Sequence, residues 1–159
     1  MNESEIKKIV QDTLSKIKTD KSVMTLSLAE RIANAVLEEA KRIGVKAVVC
    51  VSDAGGHPRL VKSMDDAYIA SYDVAVNKAF TVVALKMSTT SLKPLAQPGE
   101  SLYGIQFTNG GKIVIFGGGD PLVNQDGKII GGLGVSGGSE EQDTALSAYG
   151  KQLFDEYFI

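Results

Sequence analysis

Short glycine-bearing turns set between apolar, β-branched runs constrain this chain most, because they leave no room for crossover connections and so make the runs they join antiparallel neighbours. Asp126-Gly127 is the clearest of these turns, since a two-residue Asp-Gly loop tolerates the positive φ of a tight hairpin. The spacing predicts strands over about 103–107, 112–116, 121–124 and 128–135, separated by Asn109-Gly110-Gly111, Gly117-Gly118-Gly119 and Asp126-Gly127. Upstream, 46–52 and 57–62 flank Asp53-Ala54-Gly55-Gly56 and form another expected hairpin. Pro58 has no amide hydrogen, so the second of these strands begins after it or lies at an edge.

The remaining segments follow helical spacing. Ile6, Ile9, Val10, Leu14 and Ile17 form an amphipathic stripe over about 3–18, and Leu28, Ile32, Val36, Ala40 and Ile43 form a second. Ser27-Leu28-Ala29-Glu30 is a capping box for that second helix, and Gly44 is a fitting stop. A third helix is expected over about 67–85, burying Ile69, Tyr72, Val76, Ala79, Phe80, Val83 and Met87. Ser88-Thr89-Thr90-Ser91 can cap a short turn, and Ser139-Glu140-Glu141-Gln142 is another capping box, for a last helix that Gly150 can stop. Leu153, Phe154, Tyr157 and Phe158 make the tail costly to leave in water. The tail, the first helix, or both are therefore expected to dock on the domain or on a neighbouring subunit.

At 159 residues the chain can bury one good core and is short for two. With 17 Lys plus Arg against 19 Asp plus Glu, it has no strong positive field to collect nucleic-acid phosphates. The acidic N-terminus and the absence of a long apolar run exclude membrane insertion as an expectation and point to the cytoplasm. Cys50, the sole cysteine, excludes an internal disulfide and reads as a buried strand thiol.

Three features could carry chemistry. Gly132-Leu133-Gly134-Val135-Ser136-Gly137 has the glycine spacing of a dinucleotide loop, but no second half of a nucleotide fold follows it. Close backbone approach, of a ligand or of another strand, is a better account of the glycine clusters; amides near Gly137, Gly138 and the helix start could hold an anion, or the glycines could serve tight turns alone. His57, the sole histidine, is the one imidazole available for an axial metal bond or for proton transfer near neutral pH, with Asp53 four residues away across the turn; a polar surface role is the plain alternative. Lys78, among apolar positions of the third helix, is either a snorkelling surface residue or a ligand-facing cation.

Taken in order, Asp53-Ala54-Gly55-Gly56-His57, Met64-Asp65-Asp66-Ala67, Lys78-Ala79-Phe80-Thr81, Pro98-Gly99, Leu102-Tyr103-Gly104, the run from Gly110 to Gly119 and the run from Gly131 to Asp143 resemble the GlcG/HbpS/PduO-C-terminal-domain family. The match covers about 24–150, leaving 1–23 as an N-terminal helical extension and 151–159 as an apolar tail. It departs from the family at Pro58-Arg59, where an apolar pair is usual. The resemblance implies an α+β, profilin-like domain with an antiparallel sheet of about five strands flanked by helices, assembled as a homo-oligomer. It also implies binding of haem or another tetrapyrrole, corrinoids included, in a role linked to diol, glycerol or glycolate metabolism.

On this basis the expected function is that of a small-ligand-binding accessory protein. His57 is the axial-ligand candidate for a haem iron and the only metal-ligand candidate, with Lys78, Gly117, Gly118, Gly119, Gly137 and Gly138 as further cofactor contacts. One alternative is an enzyme acting on a small hydroxy acid, diol or aldehyde through His57 and Asp53. Another is a structural partner of a diol-metabolising complex or protein shell.

Overall fold

The computed structural model describes residues 2–16 and 21–158, with side chains placed for 2–9 and 21–156. The chain is α+β. Its sheet contains β1 (Val48–Asp53), β2 (Pro58–Ser63), β3 (Gly119–Val123) and β4 (Ile129–Ser136) in the order β2-β1-β4-β3, with every neighbouring pair antiparallel. Five helices accompany it: α1 (Glu3–Lys16), α2 (Leu26–Arg42), α3 (Ile69–Ala84), α4 (Thr89–Leu95) and α5 (Glu140–Leu153). Pro58 opens β2 at the edge of the sheet, where its missing donor leaves no gap in an inner ladder.

Alternation along β1 divides the core between the two faces of the sheet. Val49 and Val51 pack with Leu133, Val135 and the α2 residues Ile32, Ala33 and Val36 in the main cluster. Val48 and Cys50 point the other way, against Ala75 and Ala79 of α3. Fully burying a valine, leucine or isoleucine contributes about 1.5–3 kcal/mol, so the α2/α5 side is the larger source of stability. Burial also pushes the Cys50 thiol up to about 12, which fits an inert strand thiol.

The face that α3 presents differs from the expected stripe. Ile69 is 96% exposed and Tyr72 50% exposed, while Ser71, Ala75, Lys78, Ala79 and Val82 are buried. The sheet surface beneath explains the choice. A Cβ added at Gly134 would lie 2.1 Å from the Ala75 carbonyl oxygen, and one at Gly132 would lie 2.3 Å from that of Ala79. The helix therefore rests with its backbone against the bare glycine face of β4, where Ala75 and Ala79 lie over Gly134 and Gly132 and Lys78 and Val82 pack alongside. This close approach accounts for Gly132 and Gly134, which lie along β4 rather than in a loop that opens a helix, whereas Gly137 follows the strand and a Cβ there would lie 2.4 Å from Lys46 O.

Four strands form among the described residues, fewer than the expected five. Residues 103–107 fold instead into consecutive turns whose amides bond locally, as from Tyr103 to Glu100 and from Phe107 to Gly104. Residues 112–116 join no ladder: Lys112 is helical, closing the preceding turn, and Val114 N donates instead to the Thr81 hydroxyl at 3.0 Å, which itself donates to Asn77 O at 2.7 Å. A side chain thus takes the place of a neighbouring strand at Val114.

Several end signals also shift. Thr25, rather than Ser27, caps α2 by accepting from Leu28 N at 3.1 Å. Ser88 caps α4, and the Ser139/Gln142 box caps α5 as expected. Gly150 does not stop α5. A Cβ there would lie 2.6 Å from both Leu133 Cδ2 and Val36 Cγ2, so its role is to let α5 pass close to the core. A π-helical turn, Phe154–Phe158, continues α5 and seats Phe154 fully in the main cluster, so this part of the tail docks on its own domain. On α1, Ile6 and Ile9 are exposed. The side chains of Val10, Leu14, Ile17, Tyr157 and Phe158 lie outside the described residues.

Candidate functional site

Asp53 ends β1 and organises the turn that carries the histidine. Its amide donates to His57 O at 2.9 Å, and its carbonyl accepts from Gly56 N at 3.0 Å. Its Oδ1 accepts from the amides of Gly55 at 2.8 Å and His57 at 3.1 Å. Gly56 sits at φ 77°, and a Cβ there would lie 2.9 Å from Phe80 Cδ2, so this turn requires glycine on both counts. The backbone beneath His57 is consequently well anchored.

The imidazole projects from this turn with 82% of its side chain exposed, its Nδ1 3.5 Å from Asp53 Oδ1. Arg59, on β2, brings Nε to 3.8 Å from Asp53 Oδ2. Burial pushes the Asp53 carboxyl up, but the amides of His57 and Gly55 and the charges of His57 and Arg59 outweigh it and hold the group below its ordinary value. Asp53 is therefore an anion at neutral pH that can orient the ring through Nδ1. His57 borders a cleft of about 290 Å³ whose walls include Met24, Asp53, Arg59, Lys128 and Ile130. The structure thus brings Asp53 and His57 together and adds Arg59 and Lys128, which sequence reasoning did not select.

The other expected contacts gather around a second centre. Lys78 is wholly buried: Nζ donates to Val135 O at 2.8 Å and to Asp143 Oδ2 at 3.2 Å, and lies 4.9 Å from the centre of the Phe116 ring. It does not snorkel to the surface, and its ammonium lies inside the protein. Asp143 Oδ1 accepts from Gly138 N at 2.9 Å, and the Gly137 amide donates to the same carboxylate. Burial pulls Lys78 below its ordinary value and pushes Asp143 above its own, and in each case the charge of the partner opposes the displacement. The anion held by the Gly137 and Gly138 amides is therefore the chain's own.

The first glycine run is committed in the same way. Gly117 N donates to Glu140 Oε1 and Gly119 N to Thr89 Oγ1, both at 2.9 Å, while Gly118 O accepts from Val135 N at 2.8 Å. Gly118 stands at φ 111°, where a Cβ would meet Lys78 Nζ at 2.6 Å. Gly118 makes room for the buried ion pair, while Gly117 makes room for Thr144 and Gly119 for Thr89 and Val82. The Asp143 carboxylate is the residue that sequence reasoning missed; its signal was an acid in the first turn of a helix, four residues after Ser139.

Fold and site together define an α+β domain that presents an imidazole, 3.5 Å from a carboxylate, at the rim of an open cleft. The chain belongs to the HbpS-like family: the family model described as haem degrading protein HbpS-like matches residues 24–151. The α1 helix lies outside that match. The chain is 44% identical over 135 residues to an uncharacterized 15.0 kDa protein of the dhaT-dhaS intergenic region of Citrobacter freundii, covering 85% of this chain and 94% of that one. It is 44% identical over 117 residues to the corrinoid adenosyltransferase PduO of Salmonella typhimurium, covering 74% of this chain and 34% of PduO, about a third of that protein's length. A solved PduOC:heme complex is similar in structure, with a TM-score of 0.77 at 38% identity, covering 82% of this chain and 94% of that one. No helix among the described residues is long and apolar enough to cross a membrane.

Proposed function

We propose that this chain is a haem- or tetrapyrrole-binding accessory protein, with His57 as its ligand to the iron. The setting of the imidazole carries the proposal. Metal-binding histidines commonly give their second ring nitrogen to a carboxylate, and Asp53 stands at Nδ1, which leaves Nε2 as the nitrogen to reach a metal. Exposure of the ring at the rim of the cleft supplies access, and the glycine turn limits the entropy lost on binding. Haem, when bound, would supply a redox-active iron; the chain's own residues hold it and orient the ligand. The family description and the haem complex of a relative support the same reading. The link to diol, glycerol or glycolate metabolism implied by the resemblance belongs to this proposal.

Assembly is a further part of it. Tyr68, Ile69 and Tyr72 of the α3 region, together with Tyr103 and Phe107, leave large apolar side chains exposed. We assign their cover to a second copy of the chain, since a symmetric contact requires only a surface that complements itself.

The direct test is a haemin titration of the protein and of His57→Ala, followed by absorbance. We expect a shifted Soret band with the natural chain that is lost or displaced in the variant. Identical spectra from the two proteins would remove His57 from the iron.

A further inference from the structure

We propose that the cleft beside His57 selects ligands bearing carboxylates, with Arg59 and Lys128 as the residues that anchor them; the inference rests on the tetrapyrrole reading and narrows its ligand class. The charge at this end of the sheet motivates it. A neighbouring concavity of about 300 Å³ shares Ala54 and Lys128 with the His57 cleft and adds Lys86. Across both linings three permanent cations, Arg59, Lys86 and Lys128, stand against a single carboxylate, that of Asp53. The chain as a whole carries a net charge of −2, so this excess is local.

Asp53 cannot neutralise that excess. Its Oδ1 is engaged by two amides and faces the imidazole, and its Oδ2 meets only Nε of Arg59, at 3.8 Å. Among the described residues the two terminal nitrogens of the guanidinium have no hydrogen-bond or ion-pair partner, so they can pair with a carboxylate. Lys128 has no acidic partner among the described residues. Its backbone is held on both sides, with N donating to Asn124 Oδ1 and O accepting from Asn124 N, each at 2.9 Å. The ammonium thus starts from a fixed base.

The two anchors come from different hairpins, Arg59 from β2 and Lys128 from the turn before β4, and both border a cleft partly lined by Val23, Met24 and Ile130. Cations at the rim and aliphatic groups alongside suit a flat apolar body with acidic arms. A neutral ring would gain the apolar contacts and leave the cations unmatched. A phosphate or another small anion would satisfy the cations and ignore the apolar wall.

The test compares haemin with its dimethyl ester, which keeps the ring and iron and removes both negative charges. Two exposed ion pairs together are worth about tenfold in affinity, so haemin should bind about tenfold tighter than the ester. The double variant Arg59→Gln/Lys128→Gln should lose that advantage, bind the ester as the natural chain does, and keep the Soret position of bound haemin, because His57 is untouched. Equal affinity for haemin and ester in the natural chain, or an equal loss of both in the variant, would overturn the proposal. If the natural chain binds neither, the tetrapyrrole reading fails, and the carboxylate proposal is then judged with succinate by NMR. Shifts that disappear in the double variant would support it, and no shifts would end it.

Discussion

Replacing Asp143 by asparagine tests how the molecule holds a charge inside its core. Asparagine keeps an oxygen that can accept from Gly138 N, so the change removes the charge facing Lys78 and little else. Lys78 would then be an ammonium with no exposed surface, left with one carbonyl, that of Val135, and the Phe116 ring. Breaking a buried pair in this way usually costs about 3–5 kcal/mol. A limit follows from proton release, since the lysine can always shed its charge. Starting from an ordinary value of 10.5, neutralisation at pH 7 costs about 4.8 kcal/mol, and at pH 9 about 2 kcal/mol, at about 1.36 kcal/mol per pH unit. In the variant the unfolded chain binds one more proton than the folded chain, so stability rises with pH until the unfolded lysine itself titrates. Urea unfolding at both pH values should therefore show a deficit of about 3–5 kcal/mol at pH 7 that falls to about 2 kcal/mol at pH 9. Adding Lys78→Met should recover most of the loss at pH 7, because no buried charge remains. A deficit below about 1 kcal/mol at pH 7, or one that stays the same at pH 9, would refute the assignment of this pair as an internal, water-free contact.

Gly134→Ala should unfold the protein or cost more than about 3 kcal/mol in urea, because the new methyl would fall 2.1 Å from the Ala75 oxygen and 2.7 Å from the Ala79 nitrogen, both backbone atoms. Gly127→Ala, at φ 77° with open space around it, should cost only about 1 kcal/mol, and equal costs would contradict the close helix-on-strand contact. Ile69→Asp should lower the mass seen by light scattering without changing the urea midpoint by more than about 0.5 kcal/mol, since the side chain is 96% exposed in the single chain. A single-chain mass for the natural protein would refute the proposed assembly.

The sequence made legible those parts of the fold that depend on near neighbours. The Asp53–His57 and Asn124–Lys128 turns, the Ser88 cap and the Ser139 capping box all close within five residues, and each signal lies in the residues that make the bond. Misreadings arose where a distant side chain decides. Residues 112–116 have strand composition, yet the Val114 amide bonds to the hydroxyl of Thr81, more than thirty positions earlier. The α3 stripe expected from spacing runs through Ile69 and Tyr72, which are exposed, whereas the bare glycines of β4 receive Ala75, Lys78, Ala79 and Val82. At the candidate site Asp53 and His57 were visible because four positions separate them. Lys78 was visible as an anomaly, but its partner stands 65 residues away and declares itself only when α3 and α5 pack around β4.

Sheet topology places the two charged regions at opposite ends of the molecule. Because β1 and β4 are antiparallel neighbours, the end of β1 at Asp53 lies beside the start of β4 at Gly131, while Val48 lies beside Ser136. The turns 53–57 and 124–128 are thereby brought to one end, with His57, Arg59 and Lys128 around the same cleft. The glycines after β4 occupy the other end, where Asp143 fills their amides and Lys78 balances Asp143. An incoming anion at that end would have to displace a carboxylate already held by two amides and an ammonium. At the His57 end it would meet cations with no internal competitor except a carboxylate engaged elsewhere. The amide of Gly138 at the end of the glycine-rich run is thus engaged by the chain's own Asp143, although Gly137 and Gly138 also border a cavity of about 370 Å³, and the charge recognition we propose falls at the opposite rim.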